Sequence, residues 1–134
     1  IYLNYAEALN EYAPGNPDIE HYVNLVRERS DQPALPNGLT QDEMRERIRR
    51  ERRVELAFEE HRAWDVRRWK VASSTLGAPL KGMRIERDNT QATPTFTYTP
   101  YVVEQRVFQP KMYWYPIPQS ELLKLKGWKQ NPQW

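Results

Sequence analysis

Two carboxylates spaced four residues apart, Glu55 and Glu59, are the residues whose types and spacing most resemble a catalytic site. On one helix they would face the same side, as an acid–base pair or a glycoside-hydrolysing pair requires. Arg52 and Arg62 lie three residues outside this pair, on the same side. An arginine holds a carboxylate as the anion and lowers its pKa, whereas a catalytic acid needs a raised pKa. We therefore interpret these four residues as a structural ion-pair lattice, with a catalytic carboxylate pair as an alternative.

The helix that must position this lattice also carries an apolar face. A capping box of Thr40 and Glu43 marks its start, because each side chain satisfies the backbone N–H of the other. At 100° per residue, one broad face collects the apolar residues Met44, Ile48, Leu56 and Phe58. We predict that this helix runs to about residue 60 and that a further helical segment spans residues 62–73.

The basic run at residues 45–53 raises a nucleic-acid alternative, since it holds six Arg against two Glu, a net charge of +4. Residues 55–70, however, balance four acidic against four basic side chains, and the whole chain carries only +2 at pH 7. Charges that are compensated nearby are typical of paired helix faces rather than of phosphate-binding surfaces. We therefore predict no nucleic-acid partner.

The composition excludes several kinds of site. The 134 residues include no cysteine, two histidines and five glycines. A disulfide framework, a thiolate nucleophile and a histidine-rich metal site are thereby excluded, and no glycine-rich phosphate-binding motif is present. We predict neither a cofactor nor a metal ion. Hydrophobic residues make up 39% of the chain, which is enough for the core of one domain.

The start of the chain predicts a pair of helices. The first covers residues 1–13 and is stopped by the Pro-Gly-Asn-Pro turn at residues 14–17. Asn16 is then the predicted N-cap of the second helix, with Pro17 at its first position. The apolar stripe of that helix is Ile19, Tyr22, Val23 and Val26. The two helices have the length of a tetratricopeptide-like pair, although no second copy follows.

The periodicity changes after residue 81. Met83 and Ile85 alternate with charged residues and predict a short strand, and the polar, Thr-rich residues 88–100 predict a surface loop. Further extended segments are predicted at residues 102–108 and 111–117, and a last short helix at residues 120–127. The predicted fold class is mainly α, with tetratricopeptide-like helix pairs, an irregular, loop-rich C-terminal region and a few short strands.

Aromatic residues are the candidates for ligand contacts. Trp64 and Trp69 lie about 140° apart on a helix, so we predict that they pack against helices instead of forming one platform. Phe96, Tyr98 and Tyr101 fall in the polar loop region and are therefore expected to be exposed. A flat ring can cover the C–H face of a sugar while its rim stays in water. We predict these three residues as ligand-binding contacts.

Three separated motifs resemble the SusD/RagB family and occur in the order that the family shows. Residues 49–69, RRERRVELAFEEHRAWDVRRW, are similar to its RxERRxELAFExxRxWDxRRW signature. Residues 115–121, YPIPQSE, followed by QNP at residues 130–132, resemble its C-terminal ending. Residues 2–9, YLNYAEAL, resemble its YLxxAEAxN segment.

The chain departs from the family pattern at two places where glycine is common. Glu60 occupies the first, and we take it to indicate that the helix is continuous there. Gln133 occupies the second, after Asn-Pro, and affects only the local turn, because glycine tolerates positive φ better than glutamine does.

The resemblance implies an outer-membrane lipoprotein facing the cell surface. Such a protein captures a glycan or another nutrient and passes it to a SusC-like TonB-dependent transporter, without catalysis and with only an N-terminal lipid anchor in the membrane. Residues 1–134 are then expected to be the C-terminal region of a larger protein. A helical-repeat adaptor that binds only protein is the alternative from another class, and a carboxylate-pair hydrolase is the third.

Overall fold

The chain divides into two units, residues 1–62 and residues 63–134. Three helices lie within the first unit. The computed structural model describes residues 1–90 and 93–134. Helix α1 spans Tyr2–Tyr12, α2 spans Pro17–Glu28 and α3 spans Gln41–Glu55. Helix α1 packs against both α2 and α3 and is therefore the central helix of this unit.

Both predicted helix starts are confirmed. The side-chain oxygen of Asn16 accepts a hydrogen bond from the Asp18 N–H at 3.0 Å, with Pro17 at the first position of α2. At the start of α3, the Glu43 carboxylate accepts from the Thr40 N–H at 2.8 Å. The Thr40 hydroxyl in turn accepts from the Glu43 N–H at 3.3 Å. These local bonds explain why the sequence alone locates both helix starts.

One apolar core holds the three helices together. Its buried members come from all three helices and from the loop before α3: Leu3, Ala6, Ile19, Val23, Leu35, Met44 and Ile48. The predicted stripe of α2 is confirmed, because two of its residues are buried and Tyr22 and Val26 pack against the core. The loop is tied to α2, since the Asn24 side chain accepts a hydrogen bond from the Leu35 N–H at 2.9 Å.

The prediction that α3 continues to about residue 60 is wrong. The helix ends at Glu55, and the backbone then turns through two left-handed residues, Phe58 at φ 66° and Glu60 at φ 62°. Glu60 thus adopts the conformation that glycine favours, so the inference of a continuous helix there is also wrong. Phe58 was predicted on the apolar face of this helix, but it lies beyond the helix end and is fully exposed. Gln133 likewise has a positive φ of 70°, so the turn is kept without glycine.

The second unit combines short helices with a small sheet. Its elements are helix α4 (His61–Arg68), whose first two residues belong to the first unit, helix α5 (Ala72–Thr75), strands β1 (Leu80–Asp88) and β2 (Thr95–Glu104), a 3-10 helix (Pro110–Tyr113) and helix α6 (Gln119–Lys124). The helical segment predicted for residues 62–73 is therefore divided. Lys70, at φ 58°, lies between α4 and α5 and prevents one continuous helix.

Strands β1 and β2 form an antiparallel hairpin, in which Ile85 pairs with Tyr98 and Arg87 with Phe96. The strand predicted around Met83 and Ile85 is confirmed. The surface loop predicted for residues 88–100 is wrong from residue 95 onward, where β2 begins. The threonine and aromatic residues of this segment do favour a strand. A strand exposed on both faces, however, needs no alternation of apolar and polar residues, so its sequence pattern resembles that of a loop. Gln91 and Ala92, which belong to the same prediction, lie outside the described residues.

The C-terminal predictions are confirmed only in part. Of the extended segment predicted at residues 102–108, only residues 102–104 belong to a strand, because β2 ends at Glu104. A 3-10 helix replaces the start of the extended segment predicted at residues 111–117. The last helix ends at Lys124, before Gly127, whose φ of 85° belongs to a later turn.

The second unit buries few side chains. Within residues 63–90 and 93–134, only Asp65, Val66 and Ala72 are fully buried. Every residue of β2 is exposed, and Gly82 alone is partly buried in β1. A two-stranded sheet without a buried face contributes little stability by itself. Side-chain contacts around α4 must therefore hold much of this unit together.

Replacing Glu60 with glycine should raise the free energy of unfolding by about 0.5–1 kcal/mol. A residue with a side chain in the left-handed conformation destabilises the fold by roughly 1–2 kcal/mol, and glycine removes this strain. Glycine also has more conformational freedom in the unfolded chain, which offsets part of the stabilisation. Urea denaturation measures the change. Glu59→Gly is the matched control, because Glu59 has no positive φ and should lose stability on the same substitution. Equal effects at both positions would contradict the prediction.

The capping box should make the start of α3 sensitive to acid. Hydrogen bonds from the Thr40 backbone N–H, and secondly from its hydroxyl, hold the pKa of Glu43 below its ordinary value of 4.5. A carboxyl whose folded pKa is lowered stabilises the fold above its unfolded pKa, and that stabilisation disappears as the pH falls through the folded pKa. Glu43→Ala should therefore lower the melting temperature at pH 7. The difference in melting temperature between the variant and the wild type should become smaller below about pH 4.5. A difference in melting temperature between Glu43→Ala and wild type that stays the same from pH 7 to below about pH 4.5 would contradict this prediction.

Candidate ligand-binding surfaces

Arg52 is the buried charge around which the first unit is arranged. It lies in the last turn of α3, and its side chain is only 4% exposed. Its Nη1 donates to the Asn4 side-chain oxygen at 2.5 Å, and its Nε lies 3.5 Å from a carboxylate oxygen of Glu7. Since a charge buried this deeply requires partners, the contact specifies how α3 docks on α1.

Two further arginine–glutamate pairs join α3 to its neighbours. Arg45 binds both carboxylate oxygens of Glu11 on α1, at 2.6 and 2.8 Å, and this hydrogen bonding lowers the pKa of Glu11. Arg27 of α2 donates to Glu51 at 2.7 Å. These contacts between helices favour the structural interpretation of the basic run.

The predicted lattice comprises Arg52, Glu55, Glu59 and Arg62. Glu55 pairs with Arg29, the residue that follows α2. Arg62 is partly buried and Glu59 is exposed. Pairing among the four residues along one helix side stays a prediction. The end of α3 at Glu55 does place Glu59 in the following turn, outside the helix that the spacing assumes.

A cleft of about 590 Å³ opens in the first unit beside these charges. The start of α1 lines it, together with Arg52, Glu55, Leu56 and His61. Arg52 and Glu55 are already engaged in pairs with other helices. These two charged groups of the cleft are therefore used in pairs within the protein.

The predicted ligand contacts Phe96, Tyr98 and Tyr101 lie on strand β2 rather than in a loop. They are 51%, 60% and 46% exposed, as a ligand contact requires. Side chains alternate along a strand, so Phe96 and Tyr98 share one face of the hairpin and Tyr101 lies on the other. Met83 and Ile85 of β1 add exposed apolar surface to the Phe96 face. The hairpin thus brings two of the three predicted residues together and separates the third.

Tyr101 has its own surroundings on the opposite face. Its ring lies over Gly82, where an added Cβ would come within 3.1 Å of ring atoms. The guanidinium carbon of Arg84 lies 5.8 Å from the ring centre. Because an added Cβ would also come within 2.8 Å of Val103 Cγ2, the glycine leaves room for both side chains.

A second aromatic surface, which the sequence-based predictions do not include, comprises Lys70, Lys111, Trp114 and Trp134. We call it the lysine–tryptophan patch. Lys70 Nζ lies 5.1 Å from the centre of the Trp114 ring, and Lys111 Nζ lies 4.5 Å from that of Trp134. Trp134 Nε1 donates to the carbonyls of Lys111 at 3.0 Å and Trp114 at 3.1 Å, which joins the two pairs. Both tryptophans stay about half exposed, at 58% and 44%.

Tyr113 borders this patch and links it to α5. The Ser73 N–H lies 3.4 Å from the Tyr113 hydroxyl. Hydrogen bonding with Ser73 is the main cause that lowers the pKa of Tyr113, and the charge of Lys70, 4.7 Å from the ring centre, adds a smaller contribution.

The prediction that Trp64 packs against helices is wrong, since its side chain is 61% exposed and its ring contact is with Tyr115, outside any helix. Its ring lies 5.7 Å from that of Tyr115, tilted by 48°. The Arg67 guanidinium lies 5.3 Å from the Tyr115 ring and 5.6 Å from the Phe108 ring. Arg67 Nε also donates to the Met112 carbonyl at 3.1 Å. Helix α4 therefore contacts residues 108–115 through Arg67, whose guanidinium lies near the Phe108 and Tyr115 rings.

Other kinds of site find no support in the part of the chain that the structure describes. There, no group of three or more His, Asp or Glu side chains could hold a metal ion. Within the same residues, no helix combines the length and the apolar character needed to cross a membrane.

A helix-rich fold with a small two-stranded sheet and exposed aromatic surfaces is therefore the class of structure observed. The chain belongs to the SusD family, because the sequence profile of that family matches residues 1–134. Carbohydrate binding without catalysis, for polysaccharide utilisation at the outer membrane, is a property of that family.

Individual relatives agree with this membership. The SusD-like protein P2 of Formosa agariphila is 42% identical over 84 residues, which cover 58% of this chain and 17% of that protein. A SusD-like protein of Bacteroides fragilis matches with a TM-score of 0.82 and 34% identity, over 99% of this chain and 24% of that one. A SusD homolog of Bacteroides thetaiotaomicron matches with a TM-score of 0.69 and 28% identity, over 99% of this chain and 25% of that one. The chain thus spans a quarter or less of the length of these relatives.

Removing the buried guanidinium should strongly destabilise the first unit. We expect Arg52→Ala to lower the free energy of unfolding by about 3–5 kcal/mol, because Glu7 would be left without its buried partner. Urea denaturation followed by circular dichroism measures the loss. Arg53→Ala, one residue along the same helix but exposed, should change stability by less than about 0.5 kcal/mol. Similar losses in both variants would show that Arg52 has no special role.

Proposed function

We propose that this chain is part of a cell-surface protein that captures a glycan and passes it to a SusC-like TonB-dependent transporter. The single observation that carries the proposal is the family profile, which matches residues 1–134. The likeness to solved SusD-like structures over 99% of the chain supports it. The protein binds its ligand without cleaving it, in keeping with the other members of the family.

The position of this chain in the whole protein is part of the proposal. Residues 1–134 form the C-terminal region, in which α1 and α2 are a tetratricopeptide-like helix pair. The share of 17% to 25% in its relatives supports a longer polypeptide. In that polypeptide, a lipid anchor at the N-terminus holds the protein to the outer membrane, facing the cell surface.

The hairpin supplies ligand contacts in this proposal. Phe96 and Tyr98 lie two residues apart on one face, so their rings are roughly 7 Å apart along the strand and can contact one sugar or two neighbouring ones. Tyr101 with Arg84 offers a separate contact on the other face. Exposed aromatic rings suit this role, because stacking on a sugar buries apolar C–H surface while the hydroxyl groups stay hydrated.

Glycan affinity electrophoresis of the purified protein tests the function. We expect retardation by at least one polysaccharide in a panel that includes neutral and acidic polymers. Binding to no polysaccharide or oligosaccharide, together with co-purification of a transporter, would favour a protein-binding adaptor instead. Cleavage of a glycan that is lost in Glu55→Gln would favour the hydrolase.

The same assay tests the hairpin. Phe96→Ala with Tyr98→Ala should weaken glycan binding roughly 30-fold, because two stacking contacts of about 1 kcal/mol each are removed. Tyr101→Ala should have a smaller effect, since its ring is on the other face. Melting temperatures should stay unchanged, as all three side chains are exposed. Tyr12→Ala on α1 is the control, because it removes a tyrosine that is 90% exposed. Unchanged binding in the double variant would place the contacts elsewhere.

A further inference from the structure

We propose that the lysine–tryptophan patch binds the acidic groups, carboxylate or sulfate, of a negatively charged glycan. This inference rests on the proposed glycan-binding function and adds to it a second contact surface and the charge of the ligand. Three observations carry it: the charge distribution, the lack of carboxylate partners for Lys70 and Lys111, and the placement of both cations on tryptophan rings.

The two units of the chain carry opposite net charge. Residues 1–62 hold nine Arg against thirteen Asp and Glu, a net charge of −4, whereas residues 63–134 hold eleven Lys and Arg against five Asp and Glu, a net charge of +6. All five tryptophans lie in the positive part. A surface of one sign raises the local concentration of ligands of the opposite sign, so the second unit favours an anion.

The cations of the patch are not compensated within the described residues. Neither Lys70 nor Lys111 forms an ion pair with a carboxylate in residues 1–90 and 93–134, and each contacts aromatic rings instead. Ion pairs do form within the described part of the second unit, where Lys124 pairs with Glu121 and Arg68 with Asp65. The two lysines therefore keep donors for an acidic group that comes from outside.

The rings beneath the ammonium groups prepare the patch for such a ligand. A cation held over a ring loses less side-chain freedom when an anion binds, because its position is already restricted. Trp134 is fixed in turn by its hydrogen bonds to the carbonyls of Lys111 and Trp114. The exposed parts of both indoles can cover the C–H face of a sugar, while the ammonium groups donate charge-assisted hydrogen bonds to its acidic substituent. A neutral glycan would satisfy only the first of these contacts.

Three polymer probes test the proposal on the purified protein by affinity electrophoresis and calorimetry. Dextran and dextran sulfate share one backbone, so their comparison isolates sulfate, and polygalacturonate supplies carboxylates. We expect at least one acidic probe to bind at least about tenfold more tightly than dextran, with affinity falling as salt increases.

Matched variants then locate the contact. Lys70→Gln with Lys111→Gln should weaken binding of the acidic probe about tenfold, whereas Lys70→Arg with Lys111→Arg should retain most of it. Lys126→Gln with Lys129→Gln removes the same charge from exposed positions and should change affinity by less than about twofold. Trp114→Leu should weaken binding without changing the salt dependence, because it removes stacking and no charge. Melting temperatures establish that each variant is folded.

The possible outcomes separate the two proposals. Equal losses in both glutamine pairs, or acidic probes bound no better than dextran, overturn the patch. If neutral glycans bind wild type and Lys70→Gln/Lys111→Gln with the same affinity and no acidic probe binds, the proposal for the patch is overturned. The proposed capture function is then still supported. If no probe and no polysaccharide of the wider panel is bound, the proposed function fails as well.

Discussion

The buried guanidinium of Arg52 is the constraint on which the first unit depends. Removing a charge from water is expensive, and only well-placed partners offset that loss. Asn4 and Glu7, both on α1, supply them, so the docking of α3 on α1 keeps this buried charge paired. The pairs Arg45–Glu11 and Arg27–Glu51 agree with the same docking. The apolar core supplies attraction between the helices, whereas the charges specify which arrangement of them is allowed.

This division explains why the most recognisable segment of the chain identifies the family but no ligand. Within that segment, residues 49–69, Glu51 and Arg52 are directed to neighbouring helices and take part in packing. The second unit differs in physical character, because it has little buried core and keeps its tryptophans near the surface. Cations over aromatic rings take over part of the packing there, and side chains used in this way stay accessible to a ligand. Scaffold and candidate recognition surfaces are thus separated along the chain.

Local features of this fold could be predicted from sequence, because their causes lie within a few residues of one another. The Asn16 cap, the Thr40–Glu43 capping box and the stripe of α2 are all of this kind. The predictions fail where the periodic pattern continues but the backbone does not. At Phe58 and Glu60 the residue types allow a helix, and the left-handed turn depends on surroundings that no local pattern records. The first part of strand β2 was predicted as a loop for a related reason, since this exposed strand has the composition of a loop.

The sequence by itself determined the family, the helical first unit and the need for its charges to pair, because these depend on residue types at short spacing. It also supplied three aromatic candidates, but not the fact that the hairpin divides them between two faces. Only the tertiary structure decided which partners the arginines choose and that Lys70, Lys111, Trp114 and Trp134 meet in one patch. Lys70 precedes Lys111 and Trp114 by about forty residues and Trp134 follows them by about twenty, so only the folded chain brings the three parts together. Contacts of this kind arise from the folded path of the backbone, which no local spacing encodes.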